Sequence, residues 1–141
     1  MNDLYILNEI HDGVTTGMAS LEDLYKKCTD SNFKEYLASH YNTYLDTLDT
    51  LNREFEKKGK IPKDPKMSQK AMMWAGIELN TIKDTSNSKL SEILIQGYDM
   101  GIIKGTKLLN QNPDASPTVK NIVKSFITTQ KNNINDLKKF L

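Results

Sequence analysis

The sequence predicts an all-α fold, a bundle of four long helices arranged as two antiparallel hairpins, with a short extra helix in the connection between the hairpins. Apolar residues recur every three or four positions through four segments of about 25 residues, which is the spacing on the buried face of an amphipathic helix. A stretch with two prolines, residues 59–66, separates the second segment from the third. A chain of 141 residues has the usual size of one domain, so we expect a single domain over residues 1–141.

The first two helices are predicted over residues 3–29 and 32–58. Residues 29–32 are rich in side chains that cap helices, which predicts a tight turn between two antiparallel helices. Gly59 is placed to end the second helix. The expected core positions are Leu7, Ile10, Val14, Gly17, Leu21, Leu24 and Cys28 in the first helix, and Leu37, Tyr41, Tyr44, Leu48, Leu51 and Phe55 in the second.

The remaining helices are predicted over residues 68–83, 88–110 and 117–140. The first of these is the short one, and it follows the proline-containing stretch. Ser116 is a capping residue, and Pro117 suits the first position of the last helix. The expected core positions of the last helix are apolar at both ends and polar in the middle: Val119, Val123, Phe126, Gln130, Asn133, Leu137 and Phe140.

Three glycines, Gly97, Gly101 and Gly105, are spaced by four residues within the apolar helix over 88–110. A glycine inside a helix costs about 0.5–1 kcal/mol relative to alanine, so three on one stripe require a compensating contact. We expect this stripe to face the core, where the absent side chains leave room for the tyrosines of the second helix.

Composition and charge exclude several classes of protein. Hydrophobic residues make up 38% of the chain and charged residues 26%, which is typical of a folded domain rather than a disordered one. The chain starts without a basic leader and has no apolar stretch long enough to span a membrane, so we expect a cytoplasmic protein. A single cysteine excludes an internal disulfide and a thiolate zinc site. With a net charge of +1, the lysines of the last helix indicate a solvated face and not a nucleic-acid site.

The connection between the second and third long helices can run the length of the bundle, which suggests a ferritin-like topology. Further features are spread over nearly the whole chain: Leu7-Asn8 and Asp12-Gly13 in the first helix, Gly59, Trp74 in the short helix, Gly97 followed by Asp99, and a last helix that begins with proline. In these features the chain resembles an uncharacterised ferritin-like four-helix-bundle family, a domain of unknown function. The resemblance implies a ferritin-like bundle.

Ferritin-like enzymes hold two metal ions with carboxylates and Glu-x-x-His pairs from four helices. This sequence contains no Glu-x-x-His, and the corresponding central positions hold Gln130-x-x-Asn133 and Tyr41-x-x-Tyr44. Neutral amides and phenols do not supply the negative charge that offsets two metal ions, so we predict no metal site and no cofactor. The residues from which an atypical metal site would be built are His11, Asp12, Glu22, His40, Asp46 and Asp99.

The polar residues at the centre of the predicted core have two interpretations. The favoured one is that they hydrogen-bond to one another and fix the alignment of the helices. The alternative is a pocket that binds a small neutral ligand. The residues concerned are His40, Tyr41, Tyr44, Gln130 and Asn133.

Together these patterns predict a non-enzymatic bundle with a structural or interaction role. A metal-binding protein or oxidoreductase with an atypical site, and a binder of a small neutral ligand, are the alternatives. We expect no nucleic-acid or membrane partner. Apolar residues on the helices over 68–83 and 88–110 indicate either packing between those helices or a face for a homodimer or another protein: Met72, Met73, Trp74, Ile77, Ile95, Ile102 and Ile103.

Overall fold

The computed structural model describes residues 2–63, 73, 76–81 and 83–141. These residues form helices, turns and loops, and none of them lies in a strand, so the all-α prediction is confirmed. The long helices are α1 (Asp3–Lys27), α2 (Ser31–Lys57), α3 (Asn87–Gln111) and α4 (Pro117–Leu137), and a 3-10 turn, Lys138–Phe140, follows α4. Half of the predicted short helix over 68–83 lies outside the described residues, and within it residues 73 and 76–81 are helical.

The helices begin and end at the residues that local chemistry favours. Asp30, Ser86 and Ser116 precede α2, α3 and α4, and each side chain accepts a hydrogen bond from a backbone N–H of the first turn. Such a cap contributes about 1 kcal/mol. At the end of α2, Gly59 has a φ of 61°, a left-handed conformation that glycine adopts without steric cost.

The first two long helices form one hairpin and the last two form another. Side chains at the ends of the helices show how the two hairpins are oriented. The Asn87 amide at the start of α3 donates to Asp30 Oδ2 at 3.1 Å, beside the α1–α2 turn. The Ser116 N–H before α4 donates to Asp3 Oδ1 at 2.9 Å, beside the start of α1. Therefore α2 and α3 run in one direction, and α1 and α4 run in the other.

The described parts of the connection between α2 and α3 lie along α1. The Lys63 N–H donates to Asn8 Oδ1 at 2.9 Å, near the beginning of α1. Further on, the Lys27 ammonium at the end of α1 pairs with Glu78 at 2.7 Å. The described residues of the connection therefore lie near the start of α1 at Lys63 and near its end at Glu78, and α3 begins at the same end of the bundle as α2.

The core is built from the predicted apolar positions. Side chains that are at most 1% exposed include Leu7, Ile10 and Val14 of α1 and Leu37 and Leu51 of α2. Burial of a leucine or isoleucine side chain contributes about 1.5–3 kcal/mol each. In the part of the chain that the structure describes, no helix is both long and apolar enough to cross a membrane.

The glycine stripe of α3 is only partly as predicted. A Cβ atom on Gly105 would lie 2.7 Å from Ile127 Cγ1, and one on Gly101 would lie 3.3 Å from Gln130 Cγ, so both glycines face α4. The expectation that the stripe makes room for the tyrosines of the second helix is wrong, because Tyr44 packs against Gly17 of α1 instead. Gly97 is exposed, and a Cβ atom there would contact nothing within 4 Å, so its predicted place in the core is wrong. An α-helix turns by about 100° per residue, so residues four apart drift by about 40° per step and one glycine of the three leaves the interface.

Candidate functional site

Five polar side chains meet in the middle of the bundle, and we call them the central cluster: His40 and Tyr44 from α2, Tyr98 from α3, and Gln130 and Asn133 from α4. Each is at most 3% exposed. Because a buried polar group that lacks a hydrogen bond is costly, the partners of these side chains decide what the cluster does.

Tyr44 and Gln130 form the first pair of the cluster. The Tyr44 hydroxyl donates to Gln130 Oε1 at 2.6 Å, and Gln130 Nε2 donates to the Phe126 carbonyl oxygen at 3.2 Å. The Tyr44 ring lies against Gly17, where a Cβ atom would be 2.8 Å from the ring. Burial raises the pKa of the Tyr44 phenol well above its ordinary value, so this hydroxyl stays a hydrogen-bond donor.

His40 connects the cluster to the protein surface. Its Nδ1 lies 2.7 Å from the Tyr98 hydroxyl oxygen, and its Nε2 lies 3.0 Å from Asp136 Oδ2. Burial raises the pKa of the Tyr98 phenol, and the neighbouring Tyr44 acts in the same direction. Tyr98 therefore stays protonated, and its hydroxyl donates a hydrogen bond to Nδ1. Nε2 then carries the imidazole hydrogen and donates to Asp136, a tautomer that we assign from this network. Burial lowers the pKa of His40, and Asp136 opposes that shift.

Asn133 has unused hydrogen-bonding capacity. Its Nδ2 is buried and has no hydrogen-bond partner among the described residues. The Asn133 amide is close enough to the Tyr98 phenol to act against the rise in pKa that burial causes there, but its geometry is not that of a hydrogen bond. The amide is therefore the one group of the central cluster whose donor atom is not matched to an acceptor of the described chain.

Four of the five side chains predicted to bind a ligand come together: His40, Tyr44, Gln130 and Asn133. Tyr41 does not join them, because it lies at the edge between α1 and α2, where its hydroxyl donates to Glu22 Oε1 at 2.9 Å. That hydrogen bond raises the pKa of Tyr41. Binding of a small neutral ligand by the predicted residues stays a prediction.

Sequence reasoning missed Tyr98 and Asp136. A signal was present for each of them. Tyr98 stands four residues after Leu94, at helical spacing from a core position, and Asp136 is the only acidic residue of the last helix. Neither signal says which side chain on another helix will lie opposite, so neither pointed to His40.

The candidate metal ligands do not converge. His11 lies edge-on against Phe55, with ring centroids 5.9 Å apart, and burial lowers its pKa. Glu22, Asp46 and Asp99 are exposed. Across residues 2–63, 73, 76–81 and 83–141, no three histidine, cysteine, aspartate or glutamate side chains form a group that could hold a metal ion.

Two shallow grooves lie on the outside of the bundle. One is between α1 and α3, has a volume of about 330 Å³, and is lined by Tyr5, Glu9, Met100, Ile103, Lys104, Lys107, Leu108 and Gln111. The other is between α1 and α2, has a volume of about 320 Å³, and includes Tyr25, Ala38 and Tyr41 in its lining. Neither groove opens into the central cluster, because no residue of the cluster lines either of them.

Comparison with known proteins supports the fold. No protein-family model and no curated protein matches the sequence. The structure is similar to the crystal structure of a DUF305 fragment from Deinococcus radiodurans, with a TM-score of 0.77 over 98% of this chain and 93% of that chain. The two sequences are 11% identical, so the similarity is one of fold. The similar structure belongs to a helical family of unknown function, which agrees in part with the resemblance inferred from the sequence.

Proposed function

We propose that this chain is a single-domain, ferritin-like four-helix bundle with a structural or interaction role and no catalytic activity of its own. The ferritin-like assignment is supported by the directions of the helices, with α2 and α3 parallel, and by a long connection whose described residues Lys63 and Glu78 contact opposite ends of α1. In that topology a long crossover joins two antiparallel helix pairs.

One observation carries the non-enzymatic assignment. At the centre of the bundle, where a ferritin-like enzyme gathers carboxylates and histidines, the side chains are phenols, amides and one histidine, and four of the five are hydrogen-bonded in two pairs. Tyr44 is paired with Gln130 at 2.6 Å, and His40 with Tyr98 at 2.7 Å. Freeing one of these groups for a substrate would leave a buried partner unsatisfied, at a cost of about 1–3 kcal/mol. The central cluster therefore aligns α2, α3 and α4.

Metal analysis separates this proposal from the metal-binding alternative. The purified chain is incubated with iron, manganese or zinc, passed over a chelating resin and analysed by mass spectrometry, alongside a His40→Gln variant. We expect no stoichiometric metal in either protein. About two ions per chain retained by the unmodified protein and lost in the variant would establish the metal-binding alternative instead.

The neutral-ligand alternative is favoured by one observation, the unpaired Asn133 Nδ2. A crystal structure of the protein purified without added ligands tests it. Our proposal predicts that Nδ2 faces side chains or a single water molecule. Electron density of an organic molecule bonded to Nδ2 would show that the central cluster is a binding site.

The interaction role is assigned to an apolar strip on α1 and α3, formed by Tyr5, Met100 and Ile103. These side chains are 55%, 71% and 54% exposed. Ile95 and Ile102, which we also considered as interface residues, are partly buried against the core, and Ile77 is 4% exposed. Met72 and Trp74 lie outside the described residues.

We assign a second copy of the chain as the partner of this strip, on the basis of charge. Asp99 and Lys104 lie five residues apart on α3, on opposite edges of the strip, and Met100 and Ile103 lie between them in the sequence. When two copies of a helix lie side by side and parallel, a residue on one edge of the first helix faces the residue five positions later on the opposite edge of the second helix. Asp99 of each copy would then pair with Lys104 of the other. Lys104 also pairs with Glu9 at 3.1 Å, which holds its ammonium beside the strip.

Sedimentation over a range of protein concentrations tests whether a second copy of the chain is the partner of the apolar strip. We expect a dimer that the double substitution Met100→Lys, Ile103→Lys converts to a monomer. Leu45→Lys, at a side chain that is 41% exposed on α2, is the matched control and leaves the dimer intact. Asp99→Lys weakens association, and adding Lys104→Asp restores it. An unmodified chain that stays monomeric at every concentration would refute the second copy as the partner.

A further inference from the structure

The arrangement of Tyr98, His40 and Asp136 has chemical properties that helix alignment does not require. A phenol, an imidazole and a carboxylate, one from each of three helices, are joined in series by contacts of 2.7 Å and 3.0 Å. Tyr98 is 3% exposed and His40 is 1% exposed, whereas the Asp136 side chain is 48% exposed. The series therefore runs from the buried core to the solvent-exposed surface.

Such a series suits the loss of an electron by the phenol. A phenol that loses an electron becomes a very strong acid, so in a dry core it can be oxidised only where its proton has a base to move to. The Nδ1 atom of His40 is that base, since the Nε2–H bond to Asp136 leaves Nδ1 as the acceptor. The imidazolium that forms would face the Asp136 carboxylate, which stabilises its charge as the aspartate does in a Ser-His-Asp triad.

We propose that Tyr98 is a redox-active side chain that gives one electron to an oxygen-centred radical at the protein surface, while its phenolic proton moves to His40 Nδ1. The O–H bond of Tyr98 breaks and an N–H bond forms on Nδ1. The electron reduces the oxygen-centred radical to its anion. Tyr98 is left as a neutral radical, and its burial prevents it from coupling with a second radical.

The neighbouring Tyr44 is a matched control within the same core. Its ring centroid lies 6.3 Å from that of Tyr98, and both side chains are 3% exposed. The Tyr44 hydroxyl, however, donates to the amide oxygen of Gln130, which is far too weak a base to accept the proton. Exposed tyrosines such as Tyr5 and Tyr25 can also be oxidised, but their radicals are open to coupling.

Flash photolysis of the full chain tests the proposal. Persulfate oxidises a photoexcited ruthenium tris-bipyridine sensitiser, and the ruthenium(III) complex and the oxygen-centred sulfate radical that form each remove one electron from the protein. The tyrosyl radical is followed by its visible absorption and by electron paramagnetic resonance. We expect a short-lived phase from exposed tyrosines and a long-lived phase that forms more slowly in heavy water. The long-lived phase is lost in Tyr98→Phe, kept in Tyr44→Phe and formed more slowly in Asp136→Asn. A long-lived phase that persists in Tyr98→Phe, or that is absent from the unmodified chain, would overturn the assignment.

A second measurement uses only the unmodified protein, so its result does not depend on whether the variants fold. Electron–nuclear double resonance in heavy water detects an exchangeable deuteron, and the nitrogen that carries it, next to the radical oxygen. We expect both signals, because the transferred proton stays on His40 Nδ1 beside Tyr98. A long-lived radical without the nitrogen coupling would place the radical on another residue and refute the role of Tyr98.

Discussion

Gly97 and Gly105 lie on the same helix, and we predict that the same substitution will have opposite effects on stability at the two positions. Replacing either glycine with alanine within α3 gains about 0.5–1 kcal/mol of helix propensity. At Gly97 nothing lies within 4 Å of the added Cβ, so that gain is the whole effect. At Gly105 the Cβ would lie 2.7 Å from Ile127 Cγ1 and 3.1 Å from Cδ1, and overpacking of this kind costs about 1–3 kcal/mol.

The propensity gain is common to both variants, so their difference isolates the packing cost at Gly105. Gly97→Ala should be more stable than Gly105→Ala by about 1–3 kcal/mol. Urea unfolding followed by circular dichroism measures this difference, and thermal midpoints should differ by about 2–4 °C per kcal/mol. Ile127→Ala removes both contacting carbon atoms, so in that background the two alanine variants should differ far less. Equal stabilisation by both substitutions in the unmodified background would refute the packing of Gly105 against Ile127.

Three further predictions concern the central cluster. Tyr44→Phe leaves the buried Gln130 oxygen without its donor and should lower the free energy of unfolding by about 1–3 kcal/mol. Tyr41→Phe, at the partly exposed edge, should change it by less than about 0.5 kcal/mol. Equal effects in urea unfolding would contradict the assignment of these two tyrosines. Burial lowers the pKa of His40, so the unfolded chain binds a proton at a higher pH than the folded chain, and the free energy of unfolding should fall as pH drops below about 6.5. In His40→Gln the part of this fall that is due to the imidazole should be absent. An identical pH profile for the variant would show that His40 does not cause the fall. Gly101→Leu should destabilise the bundle by about 1–3 kcal/mol or more, since a Cβ there already lies 3.3 Å from the Gln130 side chain; an unchanged melting temperature would show that this glycine does not face the core.

Much of the fold could be predicted because the signals that define it are local. The bounds of α1 to α4 lie within two residues of those expected, apart from the end of α4 at Leu137, three residues early, after which the chain tightens into a 3-10 turn. Capping side chains, the glycine after α2 and the proline that begins α4 act on their own neighbourhood in the chain. The three- and four-residue spacing of apolar side chains marks the buried face of each helix by itself.

The central cluster was predictable only in part. Tyr44, Gln130 and Asn133 occupy core positions that the spacing predicts, and His40 lies beside them. Tyr41 was expected in the same cluster, but residues three apart on a helix differ by about 60° in direction, and here that difference turns Tyr41 outward to Glu22.

By itself, therefore, the sequence determined that this chain forms long amphipathic helices, where they begin and end, and that polar side chains interrupt the core at mid-height. Only the tertiary structure decided that α3 turns Gly97 to solvent and Tyr98 to His40, and that Asp136 closes the series at the surface. The physical reason is that contacts between helices depend on the rotation and the vertical offset of each one. Those two quantities are set by the packing of all four helices together, and the periodicity of a single helix does not contain them.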